Sequence, residues 1–183
     1  RAVAIDPRNA HSHYELALVY ETNSQLENAL TELHEAIAID SDHQPALIEM
    51  SSVYIKLGRP RESIETLTKV MRLKDSGKLH PESRSTLYRN LGWVHLLRGE
   101  YAYALEELNE ALGTDEKERS EALTSDRTGA VLLVLYGQAL EKNGRTLAAA
   151  GPYYEAALKK ISNTSSLKDA IFAAEPLWLA DNQ

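Results

Sequence analysis

Six histidines, two short acidic runs and one arginine–tryptophan pair are the groups in this chain equipped for chemistry. His11 and His13 stand two residues apart, so on a helix their imidazoles project in different directions and do not readily share a metal ion. His34, His43, His80 and His95 are scattered without the spacing of a ligand set. Glu106-Glu107 and Asp115-Glu116 read as solvated helix face or linker. Asn163, Thr164 and Ser165 fit a glycosylation acceptor, and equally a helix cap. No Gly-rich phosphate loop, zinc-binding helix motif or nucleophile elbow occurs, and no Ser, His and acid set is suggested by spacing. The expectation is a non-enzyme: no catalytic residue, no metal and no cofactor. Arg89 and Trp93 point elsewhere. Four residues apart, they share one face of a helix, and both types are enriched at binding hot spots. The competing reading is that Trp93 packs internally with Arg89 stacked on it.

Composition narrows the partner. The chain has 183 residues, 43% apolar and 26% charged, and contains no apolar run of the roughly 20 residues that spans a bilayer, so no direct membrane insertion is expected. A formal charge of -7 works against nucleic acid and anionic lipid, which need a basic surface. The absence of cysteine excludes disulfides, thiolate zinc sites and a cysteine nucleophile, and leaves the compartment open, with the cytoplasm preferred. The opening residues, Arg1 to Pro7, read as the end of a helix belonging to a longer chain, which leaves targeting undetermined.

The elements that position Arg89 and Trp93 emerge from a repeat. Ala-Ile-Asp-Pro at 4–7 returns as Ala-Ile-Asp-Ser at 38–41, a spacing of 34. Units counted from Ala10, Gln44, Ser85 and Ala130 place Ala17, Ala29 and Ala36 at offsets 8, 20 and 27. Ser51, Ser63 and Val70 follow in the second unit, Gly92, Ala104 and Ala111 in the third, and Gly137, Ala149 and Ala156 in the fourth. Helices approach closely where one presents a small residue and its neighbour fills the gap. Offset 24 supplies the filler: Leu33, Leu67, Leu108 and Tyr153. Gly58, Gly99 and Gly144, with Ser24 in the first unit, share the offset where a left-handed residue closes a helix. Helices are expected near 10–22, 25–39, 44–57, 60–74, 82–98, 101–112, 130–143 and 146–161. Pro152 should kink the last of them or delay its start.

These units resemble the tetratricopeptide repeat. Its pattern is matched most closely by Tyr88-x2-Leu91-Gly92-x2-His95 followed by Ala104-x3-Leu108. The resemblance implies an all-α, right-handed superhelical solenoid of antiparallel helix pairs over residues 1–161. A preceding repeat ends at 1–9, repeats start near 10, 44, 85 and 130, and insertions fall near 75–84 and 113–129. The 113–129 segment is either mobile or an extension of its flanking helices. Residues 162–183 are expected to form a capping helix and an apolar tail. Offset 4, usually aromatic in the family, carries His13, Leu47, Tyr88 and Leu133 here.

The resemblance also implies a concave groove lined by the first helices, giving Tyr14, Leu18, Ile48, Ser52, Arg89, Trp93, Leu96 and Gln138 as candidate peptide-binding residues. A carboxylate clamp known in the family is absent, since Tyr14, Leu18, Glu49, Thr86 and Asn90 occupy its places. The expected function is a non-catalytic protein-interaction scaffold holding a peptide or amphipathic helix. The alternative is a regulatory or substrate-recruiting repeat region of a larger enzyme. Self-association through Leu177, Trp178, Leu179 and Ala180 is a further expectation.

Overall fold

A computed structural model describes residues 8–113, 126–144 and positions 151, 153 and 156. Regular structure among them is helical: α1 Ala10–Thr22, α2 Leu26–Ile39, α3 Gln44–Lys56, α4 Pro60–Asp75, α5 Pro81–Leu97, α6 Tyr101–Leu112 and α7 Asp126–Lys142. The chain divides into two compact units, 1–90 and 91–183, with the boundary inside α5. None of these helices is long and apolar enough to cross a membrane. The eighth expected helix, the Pro152 kink, the cap near Asn163 and the apolar tail lie outside the described residues, apart from helical positions at 151, 153 and 156.

Local chemistry sets the helix ends. Asn9 caps α1 by accepting the Ser12 N–H at 3.1 Å on its side-chain oxygen. Pro60 and Pro81 open α4 and α5, where a missing N–H costs nothing. Ser24, Gly58, Gly99 and Gly144 have φ of 59°, 68°, 74° and 76°, the left-handed backbone expected at that offset. At the first three, the next residue's N–H reaches back to the helix: Gln25 to the Tyr20 carbonyl, Arg59 to Tyr54 and Glu100 to His95, at 2.8–2.9 Å. Most helix ends fall within one residue of expectation, and two of the shifts at helix starts have local causes. α5 begins one residue early because Pro81 is a good first position. α7 begins four residues early, so the end of the polar 113–129 stretch lengthens a helix.

In the first unit α1 packs on α2, α3 packs on α4, and α3 also meets α1 and α2. The small residues Ala17, Ala29, Ala36, Ser51 and Ser63 are fully buried, as are the fillers Leu33 and Leu67. Serine is tolerated at both buried positions because each hydroxyl is satisfied: Ser63 donates to the Ser51 carbonyl at 3.2 Å and Ser51 to the Ile48 carbonyl at 2.7 Å. Offset 4 is buried throughout, and His13 stands out as its polar member. Its Nδ1 lies 2.7 Å from Glu32 Oε2, so a charge-capable contact links α1 to α2 at this position.

The turn between α4 and α5 is held from outside. Buried Gln44 donates from its amide nitrogen to the Lys78 carbonyl at 2.7 Å, and its amide oxygen accepts the His80 N–H at 2.9 Å. One side chain at the start of α3 thus satisfies two backbone groups of a loop more than thirty residues away.

In the second unit α6 packs on α7. Gly92 faces Leu108 so closely that a Cβ built on Gly92 would lie 2.5 Å from Leu108 Cγ. The Tyr136 hydroxyl donates to Asn109 at 2.8 Å, tying α7 to α6.

Candidate binding face

A face that binds a partner must keep large side chains partly exposed while the same helices bury their others. In the first unit, Tyr14 and Leu18 on α1 are partly exposed, whereas Ala10, His13 and Ala17 are buried. Ile48 and Ser52 on α3 expose only 5% and 6% of their surface. Beside them lies Asn90, itself fully buried. Its amide nitrogen donates to the Ile48 carbonyl at 3.2 Å and to the hydroxyls of Ser51 and Ser52 at 2.8 and 2.9 Å. Asn90 also governs Arg89, whose Nε and Nη2 donate to its side-chain oxygen at 3.3 and 3.1 Å. Arg89 is therefore held along α5 by a buried amide, a restraint that the spacing of Arg89 and Trp93 did not disclose.

In the second unit, Trp93 and Leu96 are partly exposed on α5, while Leu91 and Val94 of the same helix are buried. Gln138 on α7 is partly exposed between buried Leu135 and Ala139. The eight candidate residues thus separate into six with reachable surface and two, Ile48 and Ser52, with almost none.

Folding brings three rings together that the chain keeps apart. His11, Tyr14 and His43 have centroids 5.7 Å (His11 to Tyr14), 5.7 Å (Tyr14 to His43) and 6.1 Å (His11 to His43) apart. Burial pushes the Tyr14 hydroxyl pKa up, and the negative charges of Glu49 and Glu15 add to it. His43 was not among the candidate residues, yet it borders Tyr14 and caps α3: its Nδ1 accepts the Ala46 N–H at 3.2 Å. Histidine lies outside the usual Ser, Thr, Asp and Asn set, so the cap carries no ordinary sequence signal.

Burial lowers the His43 pKa; Asp40 opposes the shift, His11 adds to it and a backbone hydrogen bond opposes it. The neutral ring is also the form that can accept at Nδ1. A depressed pKa means that the unfolded chain takes up the proton first as pH falls. The stabilisation from neutral His43 is thus complete above the ordinary value of 6.5 and is lost as pH drops from there through the lower folded value. The fall in denaturation midpoint between pH 7.5 and pH 5 is expected to be smaller in His43→Asn, which keeps a capping acceptor and cannot titrate. Equal falls in both proteins would refute the role.

Among the described residues no group of three or more His, Asp or Glu side chains is placed to hold a metal ion.

Comparison with known proteins agrees with the helix geometry. Two family models, each described as tetratricopeptide repeat, match residues 10–43 and 48–119. The chain is 30% identical over 123 residues to the type IV pilus assembly protein PilF of Pseudomonas aeruginosa, covering 67% of this chain and 47% of PilF. It therefore spans about half the length of that curated relative. The solved structure of P. aeruginosa PilF superposes with a TM-score of 0.56 at 25% identity, over 95% of this chain and 85% of that one. The crystal structure of MamA gives 0.60 at 19% identity, over 86% of this chain and 76% of its own. YrrB, described as a tetratricopeptide-repeat protein with an unusual peptide-binding site, gives 0.53 at 17% identity, over 92% and 95%. MamA and YrrB attest the fold alone. With small residues buried at fixed offsets, a left-handed residue closing the first helix of each pair and two matching family models, the chain belongs to the tetratricopeptide repeat family.

Proposed function

We propose that this chain is a non-catalytic protein-interaction scaffold that takes a peptide or amphipathic helix on the exposed faces of its first helices. The observation that carries the reading is Trp93, a large ring left partly exposed on a helix that buries Leu87, Tyr88, Leu91 and Val94. The part of the indole still in water is apolar area that a partner's apolar surface can cover. Tyr14 and Leu18 offer a similar surface on α1, and Arg89, steadied by Asn90, adds a preoriented donor. The negative net charge favours protein over nucleic acid as the partner class. A peptide-binding site in YrrB and the pilus-assembly role of PilF fit such a scaffold.

The test is selection of twelve-residue peptides against the chain, followed by anisotropy measurements with the best of them. Trp93→Ala is expected to weaken the selected peptide at least tenfold, about 1.4 kcal/mol, while moving the melting temperature by no more than a few degrees. A large fall in melting temperature with unchanged affinity would assign Trp93 to packing and remove the basis of the proposal.

A further inference from the structure

Where α1 and α3 begin, the rings of His11, Tyr14 and His43 form one patch within the first unit. His11 is exposed, and Tyr14 and His43 are partly exposed. The three rings tilt against one another by 34–49°, so none lies flat on another. With His11 at the surface, a fourth planar group can reach the patch and stack.

The charges bearing on these rings are negative. Glu15, one turn along α1 from His11, places a carboxylate oxygen 3.6 Å from the His11 ring nitrogen, and its side chain is more than half exposed. Glu49 and Glu15 both push the Tyr14 hydroxyl pKa up, and Asp40, at the end of α2, acts on His43 in the same sense. Glu49 has a further interaction within the fold, and Glu15 is the more exposed of the two glutamates. An opposing field comes from the starts of α1 and α3, each equivalent to about half a positive charge. In both helices a side chain, Asn9 or His43, already accepts one of the first N–H groups, whereas each carboxylate carries a full charge. Those helix ends also disfavour imidazolium, and a neutral imidazole does not repel a cation as imidazolium would.

We propose that His11, Tyr14 and His43, with the Glu15 carboxylate beside them, form the docking point for an arginine side chain of the peptide partner. The inference rests on the reading that the exposed faces of the first helices take a peptide, and it gives that peptide a chemistry. A guanidinium is planar and weakly hydrated, so it can stack on the rings while its N–H fork meets Glu15. A lysine ammonium shares the charge but cannot stack. The net charge of -7 draws a basic segment toward the chain as a whole.

The experiment uses three labelled peptides of Ala and Ser that carry arginine, lysine or citrulline at the same positions, with anisotropy read at neutral pH in about 0.15 M salt. The arginine peptide is expected to bind about threefold or more tightly than the lysine peptide, and about tenfold more tightly than the citrulline peptide. Diffuse attraction to an acidic chain treats arginine and lysine alike, so the preference for arginine is the signature of the rings. Tyr14→Leu should remove that preference. Because Tyr14 also packs against the core of the first unit, His11→Gln at an exposed position is the companion variant. It is expected to weaken the arginine peptide about twofold or more with an unchanged melting curve. Absence of binding, equal affinity for arginine and lysine, or a preference that survives both substitutions would each overturn the proposal. If the selected peptide still depends on Trp93 while arginine and lysine bind alike, the scaffold stands and the arginine site falls. If Trp93→Ala leaves the selected peptide unaffected while His11→Gln weakens the arginine peptide, the ring site stands and the Trp93 face falls.

Discussion

Leu67→Ala is expected to destabilise the first unit by about 2–5 kcal/mol, the range for removing a fully buried leucine from a core that cannot collapse around the void. Leu67 is fully buried on α4, which packs against α3. The small residues Ser51 and Ser63 of those two helices are pinned to one another by the Ser63 to Ser51 hydrogen bond. That bond fixes the approach of the helices, so the space left by the isobutyl group stays open. In a chain of this length each kcal/mol shifts the melting temperature by roughly 2–4 °C, and a fall of about 4–20 °C in a calorimetric scan is the expected outcome. A change of less than 2 °C would mean that the α3–α4 pair relaxes into the gap and that the filler position is not what holds it.

Gly92→Ala has the second largest expected effect, with a sign opposite to that of ordinary helix propensity. In an exposed helix interior, alanine for glycine stabilises by roughly 0.5–1 kcal/mol. Here the added Cβ would stand 2.5 Å from Leu108 Cγ, 2.7 Å from Leu108 Cδ2 and 3.2 Å from the Ala104 carbonyl oxygen. Leu108 is fully buried and cannot swing aside freely, so overpacking of about 1–3 kcal/mol outweighs the propensity gain. The diagnostic measurement is a double-mutant cycle. In a Leu108→Ala background, Gly92→Ala should become neutral or stabilising, because the crowding atoms are gone. If Gly92→Ala costs the same in both backgrounds, the clash with Leu108 is not the cause.

Leu67 and Gly92 were legible before any coordinates because their roles depend on spacing within one repeat. A small residue at offset 8 opposite a large one at offset 24 needs only the helical period and a turn of fixed length, and both are written locally. The helix ends follow for the same reason: α1 occupies the expected 10–22, and left-handed backbone occurs at Ser24, Gly58 and Gly99 as the repeat register requires. His13 shows where that locality fails. An offset usually filled by an aromatic ring holds a histidine, and only the position of Glu32 on the facing helix shows how the imidazole is satisfied.

The candidate face was less legible. Tyr14, Leu18, Arg89, Trp93, Leu96 and Gln138 keep surface, whereas Ile48 and Ser52, at equivalent offsets, are buried beside Asn90, which lies about forty residues further on and bonds the Ile48 carbonyl and the Ser52 hydroxyl. The offset of a residue states which way it points from its own helix, and the next helix decides whether anything is left to touch.

By itself, then, the sequence determined the period, the helix pairs, their closures and the small-against-large core, because these rest on interactions between near neighbours along the chain. Only the tertiary structure decided that Asn90 would reach the Ile48 carbonyl and the Ser51 and Ser52 hydroxyls, and that His43 would join His11 and Tyr14. The same holds for the Gln44 clamp on the turn before α5. Each of these joins side chains or backbone atoms from different helices or turns, and such contacts have no period in the chain from which they can be read.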